Sequence, residues 1–244
     1  MKEPGLADDS STPLNNKIQG LIASPLHTLL VAGIWAANTY LAAMRAGQSR
    51  AGLGPSRTAI YLRTMVFELV MLGVVAFGVW LRGMSLQTIF GQRWRSTLQM
   101  FRDLGLGVLL WIAATVVTSL LGGHQSGDSA NREVAFLLPQ TSREMLLWIL
   151  LSITAGICEE AIYRGYFQRQ FSGLTRSVPA GIILSAGMFG AAHAYQGMSR
   201  ALVIVVSGLL YGAFAEWRRT VRPGMFGHTI QDAIAPALLR LTGH

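Results

Sequence analysis

Two adjacent carboxylic acids lie inside one of the most apolar stretches of the chain. The run Cys158, Glu159, Glu160 follows thirteen consecutive residues without a charge, Met145 to Ile157, and Arg164 comes four residues after Glu160. An ionisable side chain inside a membrane helix costs about 2.5 kcal/mol or more, so such residues persist mainly where they face a bundle interior and have a function. The pair is therefore a candidate catalytic feature.

The two carboxylates are expected to have different roles, because successive residues of an α-helix point about 100° apart. Glu160 and Arg164 share one helix face, which predicts a structural ion pair. Glu159 has no such partner on its own helix. A carboxylate in a partly dehydrated site can act as a general base toward water. Glu159 is therefore the predicted catalytic base.

Two histidines lie in later apolar runs. Phe189 and His193 are four residues apart at the end of one run, and His228 and Asp232 are four apart in the last run, after a Pro-Gly pair that should begin a helix. Residues four apart share a helix face. We expect His193 to stand beside Glu159, and His228 with Asp232 to form a second polar cluster.

Each of these residues also has a purely structural explanation. An intramembrane histidine is often an interhelical hydrogen-bond donor, and a glutamate with an arginine four residues later is often only a stabilising pair. Three of the four rear helices nevertheless contribute ionisable residues, whereas the front three contribute little beyond Glu68. This concentration favours a shared functional site.

The elements that must carry these residues are membrane helices. Of the 244 residues 51% are hydrophobic and only 13% are charged, and runs of about 20 apolar residues are long enough to cross a bilayer. We predict an all-α fold, a polytopic transmembrane bundle of about seven helices. The predicted spans are Leu21–Met44, Met65–Leu81, Leu104–Leu121, Met145–Phe167, Val178–Tyr195, Ala201–Trp217 and Met225–Leu241.

The predicted organisation has three parts. Residues 1–20 are polar and predict a disordered tail. Residues 21–121 hold the front membrane helices, and within them residues 84–102 combine apolar and basic side chains at helical spacing, which predicts an interfacial amphipathic helix. Residues 144–241 form the predicted catalytic core.

The net charge of +8 comes mostly from arginines between the apolar runs. Anionic lipid headgroups would hold basic residues at those positions, so we expect lipid contact and no nucleic-acid binding. Lys and Arg number 12 on the N-terminal side of seven spans and 8 on the other. This difference favours a cytoplasmic N-terminus.

The three groups of residues together resemble the CPBP family, the CAAX prenyl protease and bacteriocin-processing group of intramembrane proteases, also called the Abi family. The family motifs EExxxR, FxxxH and HxxxN or HxxxD are matched by Glu159, Glu160 and Arg164, by Phe189 and His193, and by His228 and Asp232. Their order and their placement on successive helices also agree with the family. The resemblance covers roughly residues 144–241.

The resemblance implies that Glu159 and His193 activate a water for attack on a peptide carbonyl, while His228 and Asp232 stabilise the oxyanion or help to hold the site. Eukaryotic prenyl endopeptidases carry Asn where this chain has Asp232. An amide can donate a hydrogen bond to an oxyanion, whereas an ionised carboxylate cannot, so a direct oxyanion role for Asp232 is doubtful. The predicted supporting residues are Glu160, Arg164 and Phe189.

A zinc ion is the candidate cofactor, because the family is often labelled metalloprotease. Its candidate ligands are His193, His228 and Glu159. The chain has no HExxH helix with the usual ligand spacing. We therefore rank catalysis by Glu159 without a metal ahead of zinc catalysis.

The predicted function is an intramembrane endopeptidase that cuts a peptide or a lipid-anchored protein. The alternative is a non-proteolytic membrane scaffold or bacteriocin-immunity-like factor, for which the motif residues only stabilise the fold. A small transporter ranks third, because repeat symmetry is not evident. The short chain and Arg-rich linkers favour a bacterial inner membrane.

Overall fold

A computed structural model describes residues 20–51, 53–122 and 135–241. The predicted tail over residues 1–20 and most of the polar loop that precedes the fourth span lie outside these ranges. Within them the chain is all-α and contains no β-strand, which confirms the predicted fold class.

Eight α-helices are present in the described part of the chain, and seven of them overlap the seven predicted spans, with different bounds. The additional one, α3, is a single short turn. The helices are α1 Pro25–Arg50, α2 Arg57–Leu81, α3 Gln87–Phe90, α4 Thr97–Gly122, α5 Ser142–Thr175, α6 Val178–Ala192, α7 Met198–Arg218 and α8 Arg222–Leu241.

Five of these helices are long and apolar enough to cross a membrane, namely α1, α2, α4, α5 and α7. Helix α6 is apolar but has only 15 residues, and α8 is not among the five. The chain is a multi-pass membrane protein. The predicted fifth and seventh spans are therefore helices of the bundle that these criteria do not identify as spans.

Helix α5 is the central helix and differs from the predicted fourth span. It is α-helical over Ser142–Glu159, widens into a π-helical stretch over Glu160–Phe167, and returns to α-helix over Gln168–Thr175. The prediction ended this helix at Phe167 and assumed regular α-geometry. Widened turns of this kind are rare and occur frequently at functional sites, and this one begins next to Glu159.

The centre of α5 is also the centre of the hydrophobic core. Tyr163, Tyr166 and Phe167 are fully buried and pack with apolar residues of α1, α2 and α6. Close by, the buried side chain of Gln170 accepts hydrogen bonds from the backbone N–H groups of Ile22 and Ala23, at 2.9 and 3.2 Å. These hydrogen bonds connect the segment before α1 to α5, the helix that carries the paired glutamates.

Residues 84–102 differ from the predicted single interfacial helix. Only α3 and the first turn of α4 are helical there. Gly91 ends α3 with a φ of 87°, a conformation that glycine adopts readily and that stops the helix. The short α3 packs instead against the widened part of α5, where the absence of a side chain at Gly165 leaves room for Ile89.

Candidate active site

All seven predicted site residues line one cavity of about 810 Å³. The cavity lies among α5, α6, α7 and α8, and helices α2 and α4 also contribute to its wall. The structure therefore brings together side chains that are up to 73 residues apart between Glu159 and Asp232. The seven are Glu159, Glu160, Arg164, Phe189, His193, His228 and Asp232.

Glu160 and Arg164 form the predicted ion pair. Nη1 of Arg164 lies 3.0 Å from Oε1 of Glu160, and both side chains are almost completely buried. The guanidinium also lies over the ring of Phe189, with 4.3 Å between Cζ and the ring centroid. A cation in this position is attracted by the negative face of the ring. Phe189 thus helps to hold Arg164 in place.

His228 joins the two glutamates to Asp232. Its Nδ1 lies 3.2 Å from Oε1 of Glu160, and its Nε2 lies 3.4 Å from Oδ2 of Asp232 and 3.7 Å from Oε2 of Glu159. Both ring nitrogens therefore face carboxylate oxygens, an arrangement that suits a doubly protonated imidazolium. His228 and Asp232 were predicted as a second cluster, but the structure makes them part of one cluster with the glutamates.

His193 stands at the end of α6, where its position fixes its tautomer. Nδ1 lies 2.9 Å from the carbonyl oxygen of Phe189. A carbonyl can only accept a hydrogen bond, so the neutral ring carries its hydrogen on Nδ1 and has a lone pair on Nε2. His193 and Glu159 line the same cavity and interact electrostatically, and the imidazole of His228 also faces Glu159.

Glu159 keeps one carboxylate oxygen without a hydrogen bond. Its side chain is almost buried, and Oε2 has no hydrogen-bond partner within the described ranges. The 3.7 Å separation from Nε2 of His228 is longer than a normal hydrogen bond. The oxygen is therefore available to bind a water or a substrate group that enters the cavity.

Gly156 sets the distance between α5 and α8, the two helices that carry Glu159 and His228. A Cβ at this position would lie 2.8 Å from the carbonyl oxygen of Met225 and 2.9 Å from the backbone nitrogen of Thr229. These are backbone atoms, so the two helices would have to separate to admit a side chain. The absence of a side chain at Gly156 thus keeps the carboxylate and the imidazole within reach.

Substituting Gly156 with Ala should therefore separate α5 from α8. Overpacking of this kind costs about 1 to 3 kcal/mol, so we expect a lower melting temperature in detergent and weaker activity of the site. Gly105→Ala is the matched control, because a Cβ there meets nothing within 4 Å. Equal melting temperatures for the two variants would contradict this assignment.

Several further residues of the cavity wall were not singled out as site residues by sequence. Glu68 of α2 is buried there, and the ring of Tyr211 lies 6.4 Å from that of His228. Nε1 of Trp148 donates to the carbonyl oxygen of Asp232 at 2.8 Å, which fixes the backbone of that residue. The sequence did contain a signal for Glu68, because it is a single acidic residue within an apolar span.

The candidate metal ligands are not arranged as a metal site. Across residues 20–51, 53–122 and 135–241, no group of three His, Cys, Asp or Glu side chains could hold a metal ion. The nitrogens of His228 are directed at carboxylates, and Nδ1 of His193 is bonded to a carbonyl. Because these residues do not form such a group within the described ranges, we assign none of them as a metal ligand.

Comparison with known proteins identifies one family. Residues 141–234 match the model of the type II CAAX prenyl endopeptidases, Rce1-like. The match includes all three motifs and confirms the resemblance that the motifs indicate, while the front helices lie outside it. No curated protein and no solved structure matches the chain. The matched family is one of endopeptidases.

Proposed function

From the match of residues 141–234 to the type II CAAX prenyl endopeptidases, we propose that this chain is an intramembrane endopeptidase in which Glu159 activates the attacking water. One observation carries the proposal. Glu159 has a carboxylate oxygen that makes no hydrogen bond to any described residue, in a cavity that His193 and His228 also line.

Glu159 takes the proton of the attacking water. A positioned general base typically accelerates such a step by about 10² to 10⁴ fold. Nε2 of His193 accepts the second hydrogen of the same water and so orients it toward the scissile carbonyl. The buried surroundings strengthen these interactions, because little bulk water screens them.

The oxyanion that forms on attack is stabilised by His228. Nε2 lies at 3.4 Å from Asp232 and 3.7 Å from Glu159, both longer than an optimal charge-assisted bond, so its N–H can still donate to a developing negative charge in the cavity. Asp232 then acts by holding His228 charged and oriented. This role suits a carboxylate, which cannot itself donate to an oxyanion.

The substrate class is a peptide or a lipid-anchored protein. The cavity is large enough for several residues of an extended peptide, since its volume of about 810 Å³ is within the range of ligand sites in proteins. We further propose that the protein resides in a bacterial inner membrane with its N-terminus in the cytoplasm, where anionic headgroups contact its arginines. Whether the substrate is prenylated is an outcome of the assay below.

The proposal is tested by cleavage of quenched peptides, with and without a prenyl group, by the full chain in liposomes. His193→Ala should lower the cleavage rate by about 100-fold or more, because the ring that orients the water is lost. His27→Ala is the matched control, since that histidine bonds Tyr166 and the carbonyl of Val74 and does not line the cavity. A wild type that cuts nothing, or a His193→Ala variant that cuts equally well, would favour the non-proteolytic scaffold.

A metal chelator belongs in the same assay. Because no group of three His, Cys, Asp or Glu side chains among the described residues could hold a metal ion, we expect the rate to be unchanged by chelation. A rate that falls on chelation and returns when zinc is added would overturn the metal-free mechanism and leave the protease assignment standing.

A further inference from the structure

Glu68 is a third carboxyl group in the cavity, and neither the family motifs nor the mechanism above uses it. It lies near the middle of α2, a front helix outside the matched region. Its side chain is 2% exposed and lines the same cavity as Glu159. Its Oε2 is buried and makes no hydrogen bond to the part of the chain that the structure describes.

The surroundings of Glu68 do not explain it as a structural residue. A buried carboxylate is normally paired with a cation, yet no Lys or Arg of the described ranges forms an ion pair with it. It interacts electrostatically with Glu159 and Asp232, two other carboxyl groups of the site, and with His228. Burial beside other carboxylates favours the neutral form of a carboxyl group, and a neutral carboxyl group can donate a proton.

Peptide cleavage needs such a donor. The C–N bond breaks readily only if the departing nitrogen receives a proton, and Glu159 has just taken one from the water on the attacking side. We infer that Glu68 is a catalytic residue that delivers the proton to the leaving amine, an inference that rests on the proposed protease function. Two carboxyl groups in different surroundings thus have different roles, with Glu159 as general base and Glu68 as general acid.

The steps balance without a further reactant. The water oxygen bonds to the carbonyl carbon, and one water proton passes to the Glu159 carboxylate. The carbonyl then re-forms, the C–N bond breaks with its electron pair on nitrogen, and the proton of Glu68 moves to that nitrogen. The products are an acid and an amine, and the cycle closes when the proton on Glu159 returns to Glu68 through water in the cavity.

The test compares two substrates of the same sequence in one liposome preparation. One has an amide at the scissile bond, and the other has an ester whose leaving alcohol departs without a proton. For Glu68→Gln the ratio of amide to ester cleavage rates should fall by about 100-fold relative to wild type. Because the readout is a ratio within one sample, a partial loss of folded protein cancels.

Two further variants sharpen the comparison. Glu68→Asp keeps a carboxyl group, so its ratio should fall by no more than about tenfold, which is well below the range for loss of a general acid. Glu216→Gln makes the same chemical change in a residue that pairs with Arg219 outside the cavity, and its ratio should equal that of wild type.

The outcomes separate this inference from the protease function. If wild type cuts both substrates and Glu68→Gln loses both by the same factor or neither, the acid role is overturned and the protease function stands. If wild type cuts neither substrate, the protease function itself is overturned, and the role of Glu68 falls with it.

Discussion

Glu159→Gln should abolish measurable peptide cleavage, with a loss of about a thousandfold or more, while the protein stays folded. The amide has the size of the carboxylate but cannot take a proton from water, and loss of a general base costs about 10² to 10⁴ fold. The fold should tolerate the change, because Oε2 of Glu159 makes no hydrogen bond to any described residue. Removing an almost buried charge also removes part of its desolvation cost.

The measurement is the initial rate of cleavage of a quenched peptide in liposomes, together with the melting temperature in detergent. Glu144→Gln is the matched control, since Glu144 closes the capping box at the start of α5 and glutamine serves in the same motif. The control should cut at the wild-type rate. A Glu159→Gln variant that melts normally and cuts within tenfold of wild type would remove Glu159 from the mechanism.

The ionisable site residues could be predicted from the sequence because each is a polar or charged group in an unfavourable position. Charged groups in apolar runs are costly, so Glu159, His193 and His228 could be singled out without any knowledge of neighbouring helices. Spacing of four residues also predicted the ion pair of Glu160 with Arg164, which the structure has at 3.0 Å. The seven predicted spans all exist as helices, because long apolar runs can be recognised without knowledge of the neighbouring helices.

The sequence could not predict which helices contact one another. Periodicity tells which residues share a face, but it does not tell which face of another helix they meet. His193 was expected beside Glu159 and interacts electrostatically with it, but the approach of His228 to Glu159 was not predicted, and Glu68 could not be assigned to the site. The π-helical stretch over Glu160–Phe167 and the stop at Gly91 depend on local packing and backbone conformation that hydropathy does not register.

Arg164→Met should be the most destabilising single change at the site. It removes the buried cation that lies 3.0 Å from Glu160 and over the ring of Phe189, and it leaves Glu160 with only His228 as a charged partner among the described residues. Breaking a buried pair by removing one member costs about 3 to 5 kcal/mol, because an uncompensated charge stays buried. Unfolding in a detergent mixture should therefore occur at a much lower fraction of the denaturing detergent.

The double variant Glu160→Gln with Arg164→Met distinguishes two costs. One is the lost attraction between the two side chains, and the other is the burial of an unpaired Glu160 carboxylate. If the cost arises mainly from the unpaired carboxylate, removing that charge should restore at least half of the lost free energy of unfolding, as replacement of whole buried pairs often does. Cleavage should nevertheless stay low in the double variant, because Oε1 of Glu160 lies 3.2 Å from Nδ1 of His228 and its charge helps to keep that ring protonated. A double variant whose destabilisation equals the sum of the two single ones would mean that the two residues act independently.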